Sequence, residues 1–322
     1  METLLEVKNL KLSNKDIEIL KDISFSLKKG EILAVVGESG CGKSTLSRAL
    51  TQMMGHDEKI IDGEIIFDDK NILKLPSEEK RKLLGKEIGV ILQNPGSTLN
   101  PIRKIEKQFV EVLKSHMKIS KKEALKTAEN LLEKLNFKEA SCILNSYPFE
   151  LSGGMRQRIA LALAVIMKPK ILVADEPTSA LDTASQYAVV KELISLRDNF
   201  DTSIIVVTHS MKVVSMMADK VAVMYGGKIL EFGDKEAVME KPSHPYTKAL
   251  INAVPKIGGN VPKGLKGSPP KFSDKIEGCI FKKRCHSKNE HCGNTDQKLR
   301  MVDDTRWIAC SLEEKLEISE NV

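Results

Sequence analysis

The chain alternates between two hydrophobic rhythms. Over residues 1–30 apolar and polar positions alternate ("LLEVKNL", "DISFSL") and close on Lys29-Gly30, which predicts short antiparallel strands joined by turns. "EILAVVG" follows as an unbroken apolar run of strand length, and "KSTLSRALTQMM" takes up helical spacing directly after a glycine-rich loop. From about residue 93 to 166 the pattern is helical. There "SKKEALKTAENLLEKL" opens with Ser120 and Glu123 as a capping box and repeats apolar residues at Leu125, Ala128, Leu131, Leu132 and Leu135.

Two more buried-type strands, "KILVAD" and "SIIVVTH", flank the helical stretch "SQYAVVKELISLRD", which predicts a βαβ crossover and parallel strands in one sheet. "VAVMYGGKIL" predicts a hairpin turning at Gly226-Gly227. Past about residue 240 the regularity lapses into "VPKIGGNVPKGLKGSPPKFSDKIEG", a Pro-, Gly- and Lys-rich segment that places a domain boundary near residue 240. A length of 322 residues agrees with a second region, since single cores stop growing near ~250 residues.

Composition changes this picture little. A hydrophobic fraction of 41% and a charged fraction of 29% are those of a folded globular chain. The net charge of +6 comes from interspersed Lys and Glu, not from a basic block, so no nucleic-acid partner is expected. No stretch approaches the ~18 apolar residues of a membrane span, and the start lacks a signal-peptide pattern, so a cytosolic location is expected.

Chemistry concentrates in two places. Gly37-Glu38-Ser39-Gly40-Cys41-Gly42-Lys43-Ser44-Thr45 fits the Walker A pattern between a strand and a helix. Its backbone N–H groups are suited to wrap a polyphosphate, Lys43 to meet the β/γ oxygens and the Ser44 hydroxyl to bind Mg²⁺. In "ILVADEP" four apolar residues precede Asp175 and Glu176, so both carboxylates emerge at the C-terminal end of a buried strand. Asp175 suits Mg²⁺ through water, and Glu176 suits the general base for an attacking water.

"LSGGMRQR" at 151–158, "SALD" at 179–182, Gln93 in "ILQNP" and His209 in "VVTHS" give the chain a close resemblance to the ATP-binding subunits of ATP-binding-cassette (ABC) transporters. The resemblance covers residues 1 to about 240. It implies an α/β P-loop NTPase fold of ABC type, with a mixed β core, an antiparallel β subdomain, a helical subdomain at about 93–166 and a small irregular C-terminal extension at 241–322. It further implies that Ser152, Gly153, Gly154 and Met155 close on the ATP of a second, related ATPase subunit, with Ser179, Ala180, Leu181 and Asp182 as the D-loop. His209 resembles the switch residue at the γ-phosphate, and Gln93 the residue that senses Mg²⁺ and water. Two departures stand out: Asn14 occupies the region where the family has an adenine-stacking aromatic, and Met155 replaces the usual Gln.

Cys279-x5-Cys285-x6-Cys292-x17-Cys310 could supply four thiolates to Zn²⁺ or to an iron–sulfur cluster, and the spacing does not choose between them. His286 and His291 are alternative ligands. "SHPYTKAL", "GSPP" and "GCIFKKRC" resemble the C-terminal extension of dipeptide, oligopeptide and nickel importer ATPases, some of which hold a [4Fe–4S] cluster. The resemblance therefore implies a peptide-importer ATPase at the cytoplasmic face of the membrane, docked on two permeases and served by an extracytoplasmic substrate-binding protein. A nickel or metal-chelate importer is the alternative, and a soluble ABC ATPase or an iron–sulfur sensor the alternative of another class.

Overall fold

The computed structural model describes residues 2–179, 181–254, 264–294 and 297–311. The linker-like residues 255–263 and Ala180 of the D-loop lie outside them. Contacts divide the chain into two compact units, one of residues 1–73 with 207–322 and one of residues 74–206.

The first unit opens with β1 (Thr3–Asn14) and β2 (Ile17–Lys28), antiparallel and joined at Lys15-Asp16. The strands are twelve residues each, longer than the alternation predicts, because irregularities carry the pairing past points where alternation fails. At one of these Asn9 and Asp22 take left-handed backbone, and Ser24 both receives the Asn9 N–H at 2.9 Å and donates to its side chain at 3.0 Å. After β3 (Ile32–Val36) and α1 (Lys43–Leu50), β4 (Glu58–Phe67) and β5 (Lys70–Asn71) complete a four-stranded sheet in the order β2-β1-β4-β5.

The second unit begins with α2 (Ser77–Leu83) and β6 (Ile88–Ile91). Its helices follow as α3 (Ile105–His116), α4 (Lys121–Lys134), α5 (Ala140–Asn145) and α6 (Gly153–Val165). The predicted capping box opens α4, with Ser120 accepting from the Glu123 N–H and Glu123 reaching back to Ser120. β7 (Ile171–Asp175) pairs with β6 in parallel, and α7 (Thr183–Phe200) leads to β8 (Ser203–Thr208), within which the division between units falls. No described helix is long and apolar enough to cross a membrane.

The first unit resumes with α8 (Met211–Met217), β9 (Lys220–Tyr225) and β10 (Lys228–Asp234), the last two forming the predicted hairpin. β9 also pairs with β3 in parallel. Both strands are apolar throughout their centres because both faces are covered. α9 (Lys235–Glu240), α10 (Pro245–Asn252) and α11 (His291–Asn294) precede β11 (Arg300–Asp303) and β12 (Arg306–Ile308). β12 pairs with β10, so regular structure reappears at the far end of the extension, and Trp307 packs on Phe232 at 5.3 Å between centroids.

His244 caps α10 from inside the protein. Its Nδ1 accepts the Tyr246 N–H at 3.0 Å, its own N–H donates to the buried Glu231 carboxylate at 3.0 Å, and its ring lies against Phe281. Burial, with the Lys248 charge nearby, pushes this imidazole down to about 3. Because that value lies below the ordinary 6.5, the unfolded chain takes up a proton that the folded chain refuses, and stability falls as pH drops from about 6.5 toward 3. His244→Asn puts an amide oxygen in place of Nδ1 as the capping acceptor and removes the titration. Urea unfolding from pH 7 to 4.5 should therefore show a shallower acid loss in this variant, by up to about 1.4 kcal/mol per pH unit; an unchanged slope would place the acid sensitivity elsewhere.

Candidate functional site

The loop after β3 is shaped by what lies beside it. The register Val36↔Val223 sets the Met224 carbonyl against Gly37, and a side chain there would lie 2.2 Å from that oxygen. Gly42 caps α1 with a left-handed φ of 105°, and no side chain makes a capping hydrogen bond to the helix start. Lys43, 6% exposed, folds back so that its Nζ donates to the carbonyls of Gly37 at 2.8 Å and Glu38 at 3.0 Å. The Cys41 carbonyl accepts the Gly227 N–H at 3.0 Å, and burial pushes the Cys41 thiol up, so it is an inert packing group here. Ser44 is exposed at the first turn of α1, while Thr45 is buried and receives Arg48 at 3.1 Å.

His209 is exposed just past the end of β8, where Ser210 caps α8 by accepting from the Val213 N–H. Asn14 is exposed at the end of β1 and pairs with Ile17, itself 42% exposed. Sequence reasoning passed over that neighbouring apolar side chain.

In the second unit, Ser152 caps α6 by accepting from the Met155 N–H at 3.2 Å. Gly153 and Gly154 are exposed, and here their bareness has no internal cause: a side chain on Gly154 would meet nothing within 4 Å. α6 is tied to the strand-end carboxylates by Gln157, whose Nε2 donates to the Pro177 carbonyl at 2.9 Å. Asp175 ends β7 half-buried, and Glu176 takes a left-handed φ of 49°, an uncommon backbone state for a glutamate. Gln93 is exposed beyond β6, in a loop whose Gly96 packs on Arg156 and Gln157 of α6.

Within the D-loop, the Ser179 N–H donates to the Glu176 carbonyl at 3.1 Å and Leu181 is half-buried. Asp182 caps α7, accepting from Ala184 and Ser185 N–H at 3.0 Å each, and its bonds to Ser185 hold its carboxyl below the ordinary range. That local task was legible in "LDTAS" and was missed.

The cysteines of the extension lie in and near its buried part. Cys279, Cys292 and Cys310 are buried and Cys285 is half-buried, with the Cys279 N–H donating to the Cys292 carbonyl at 2.9 Å. Burial raises the thiols of Cys279 and Cys285, and Cys292 lies near enough to both to add to the shift. Among the described residues no three His, Cys, Asp or Glu side chains are set out to hold an ion. The placement of these residues thus gives no support to the [4Fe–4S] or Zn²⁺ site that the cysteine spacing suggests.

The two kinds of bare glycine predict opposite responses in urea unfolding. Gly37→Ala should lose about 1–3 kcal/mol to overpacking. Gly154→Ala should be neutral or gain up to about 1 kcal/mol from helix propensity. A stability loss for Gly154→Ala as large as that for Gly37→Ala would refute the distinction.

Comparison with known proteins agrees with these features. The ABC transporter family matches residues 20–179, and the C-terminal region of oligopeptide/dipeptide transporters matches residues 230–292. The chain is 37% identical, over 98% of its length and 96% of the relative, to the dipeptide transport ATP-binding protein DppD of Bacillus subtilis. It is 38% identical to the metal-staphylopine import system ATP-binding protein CntD of Staphylococcus aureus, over 82% of this chain and 98% of that one. Among solved structures, the dimeric post-hydrolysis state of the ATP-binding cassette MJ0796 bound to ADP and Pi has a TM-score of 0.62 at 26% identity, covering 72% of this chain and 99% of that chain. Loop, capped signature helix, strand-end carboxylates and these matches over nearly the whole length lead to one assignment: the chain is an ATPase that belongs to the ABC transporter ATP-binding proteins, in the group that carries the oligopeptide/dipeptide transporter C-terminal region.

Proposed function

We propose that this chain is an ATP-hydrolysing subunit of an importer for di- or oligopeptides. The observation that carries the reading is the presence in one chain of both matches, the ABC region at 20–179 and the peptide-transporter C-terminal region at 230–292. With no described helix able to span a membrane, the chain would act at the cytoplasmic face on two permease subunits. An extracytoplasmic binding protein would deliver the substrate. Nickel or metal-chelate import is the less favoured substrate reading, because the C-terminal match is to peptide transporters.

In this reading residues 37–45 bind the triphosphate through backbone N–H groups and Lys43. Ser44, Gln93 and Asp175 would hold Mg²⁺, which supplies charge neutralisation at the phosphates. Glu176 takes the proton of the attacking water, and His209 orients that water at the γ-phosphate. Ser152, Gly153, Gly154 and Met155 would contact the nucleotide of a second ATPase subunit. Their open surface supports this role, since a bare, capped helix start offers unobstructed N–H groups to an anion. Residues 1–240 would form the cassette, with its helical part at about 93–166, and residues 241–322 the extension.

A metal on Cys279, Cys285, Cys292 and Cys310 is supported by their spacing and by resemblance alone. Iron and zinc analysis of anaerobically purified protein tests it: a brown protein supports the [4Fe–4S] cluster, and a metal-free one removes it.

Glu176→Gln should bind MgATP and lower turnover of the assembled transporter by roughly 10²–10⁴-fold, the usual worth of a general base. The variant should also accumulate as a nucleotide-bound dimer in size-exclusion chromatography. Near-normal turnover by the variant would remove Glu176 from that role. Uptake by the reconstituted complex that responds to peptides and not to nickel or metal chelates tests the substrate.

A further inference from the structure

Glu38, the second residue of the Walker A loop, is gripped from the opposite end of the chain. Its backbone N–H donates to the Tyr246 hydroxyl at 3.0 Å. Its carboxylate accepts Nη1 of Arg284 at 2.6 Å and Nη2 at 3.0 Å, a bidentate pair between residues 246 positions apart. The Arg284 side chain is 5% exposed and that of Glu38 23%, so solvent screens the pair little.

The arginine is itself held in place. Its Nε donates to the Lys266 carbonyl at 2.9 Å, and its Nη1 lies 3.3 Å from the Tyr225 hydroxyl. Tyr225, Tyr246 and Phe281 form a closed trio of rings with centroids 4.7 to 5.3 Å apart. Ile280 presses on the β9–β10 turn so closely that a side chain on Gly226 would lie 2.6 Å from its Cδ1. The next residue of that turn, Gly227, donates to the Cys41 carbonyl inside the loop.

This geometry has an electrostatic consequence. A carboxylate one residue into a triphosphate-binding loop is a like charge beside the ligand, and it repels unless neutralised and turned aside. Two fixed, parallel hydrogen bonds do both. We propose that Arg284 is a positioning residue for nucleotide binding, holding the Glu38 carboxylate away from the polyphosphate and making the C-terminal extension part of the nucleotide-binding machinery. The inference rests on the assignment of residues 37–45 as the nucleotide loop.

A double-mutant cycle on the purified full-length chain tests it, with affinity for MgATP and MgADP as the readout. Arg284→Gln should weaken MgATP binding about tenfold, equivalent to about 1.4 kcal/mol, and MgADP binding less, because the diphosphate carries less charge. Whatever Glu38→Gln does to affinity by itself, in its presence Arg284→Gln should cost no more than about twofold, since the repelling charge is gone. Arg284→Lys, which keeps the charge without the fork, should fall between.

A purely structural arginine would cost the same with or without Glu38, and that result overturns the proposal, as does MgATP affinity of Arg284→Gln within about twofold of the parent. Should Arg284→Gln fail to fold, Arg284→Lys read through the same cycle decides by the same criterion. Lys43→Ala separates the two levels: retained affinity there removes the loop assignment itself, whereas lost affinity there beside an unaffected Arg284→Gln removes only the role of Arg284.

Discussion

The Met224 carbonyl occupies the space where a side chain on Gly37 would have to go. Parallel pairing of β3 with β9 puts it there, and it forces the chain to leave the sheet as bare backbone. From this one contact the rest of the site follows in order. The loop turns on glycines, and Lys43 folds over it onto the Gly37 and Glu38 carbonyls. The β9–β10 turn then fastens the loop at Cys41, and the extension seats on that turn through Ile280, Phe281 and Arg284.

Glycines that look alike in the sequence thus have different physical origins. Gly37 is bare because a neighbouring strand leaves no room, a constraint satisfied within the folded chain. Gly153 and Gly154 have room to spare, so their bareness is a cost in helix stability with no internal return. Such an uncompensated local cost is expected where another molecule uses the surface. The Gln157 bond to Pro177 makes that surface continuous with the backbone that holds Glu176 in its left-handed conformation.

The extension changes meaning once its contacts are known. Along the chain its prominent feature is four cysteines, yet among the described residues no three His, Cys, Asp or Glu side chains are set out to hold an ion. The residues between the first two of them, Ile280, Phe281 and Arg284, carry the visible interactions instead.

The sequence by itself determined whatever depends on neighbours along the chain. Walker A spacing, the capping box at Ser120, the apolar runs of β3, β7 and β8, and the Gly226-Gly227 turn are all short-range patterns, and each reappears in the structure. Local pattern also fell short: alternation implied short strands where bulges sustain twelve residues, and cysteine spacing implied a metal site to which side-chain placement lends no support. Only the tertiary structure decided that Arg284 meets Glu38, that Tyr246 caps the loop and that His244 is held neutral, because charge pairing and desolvation depend on distance in space and not on separation in sequence.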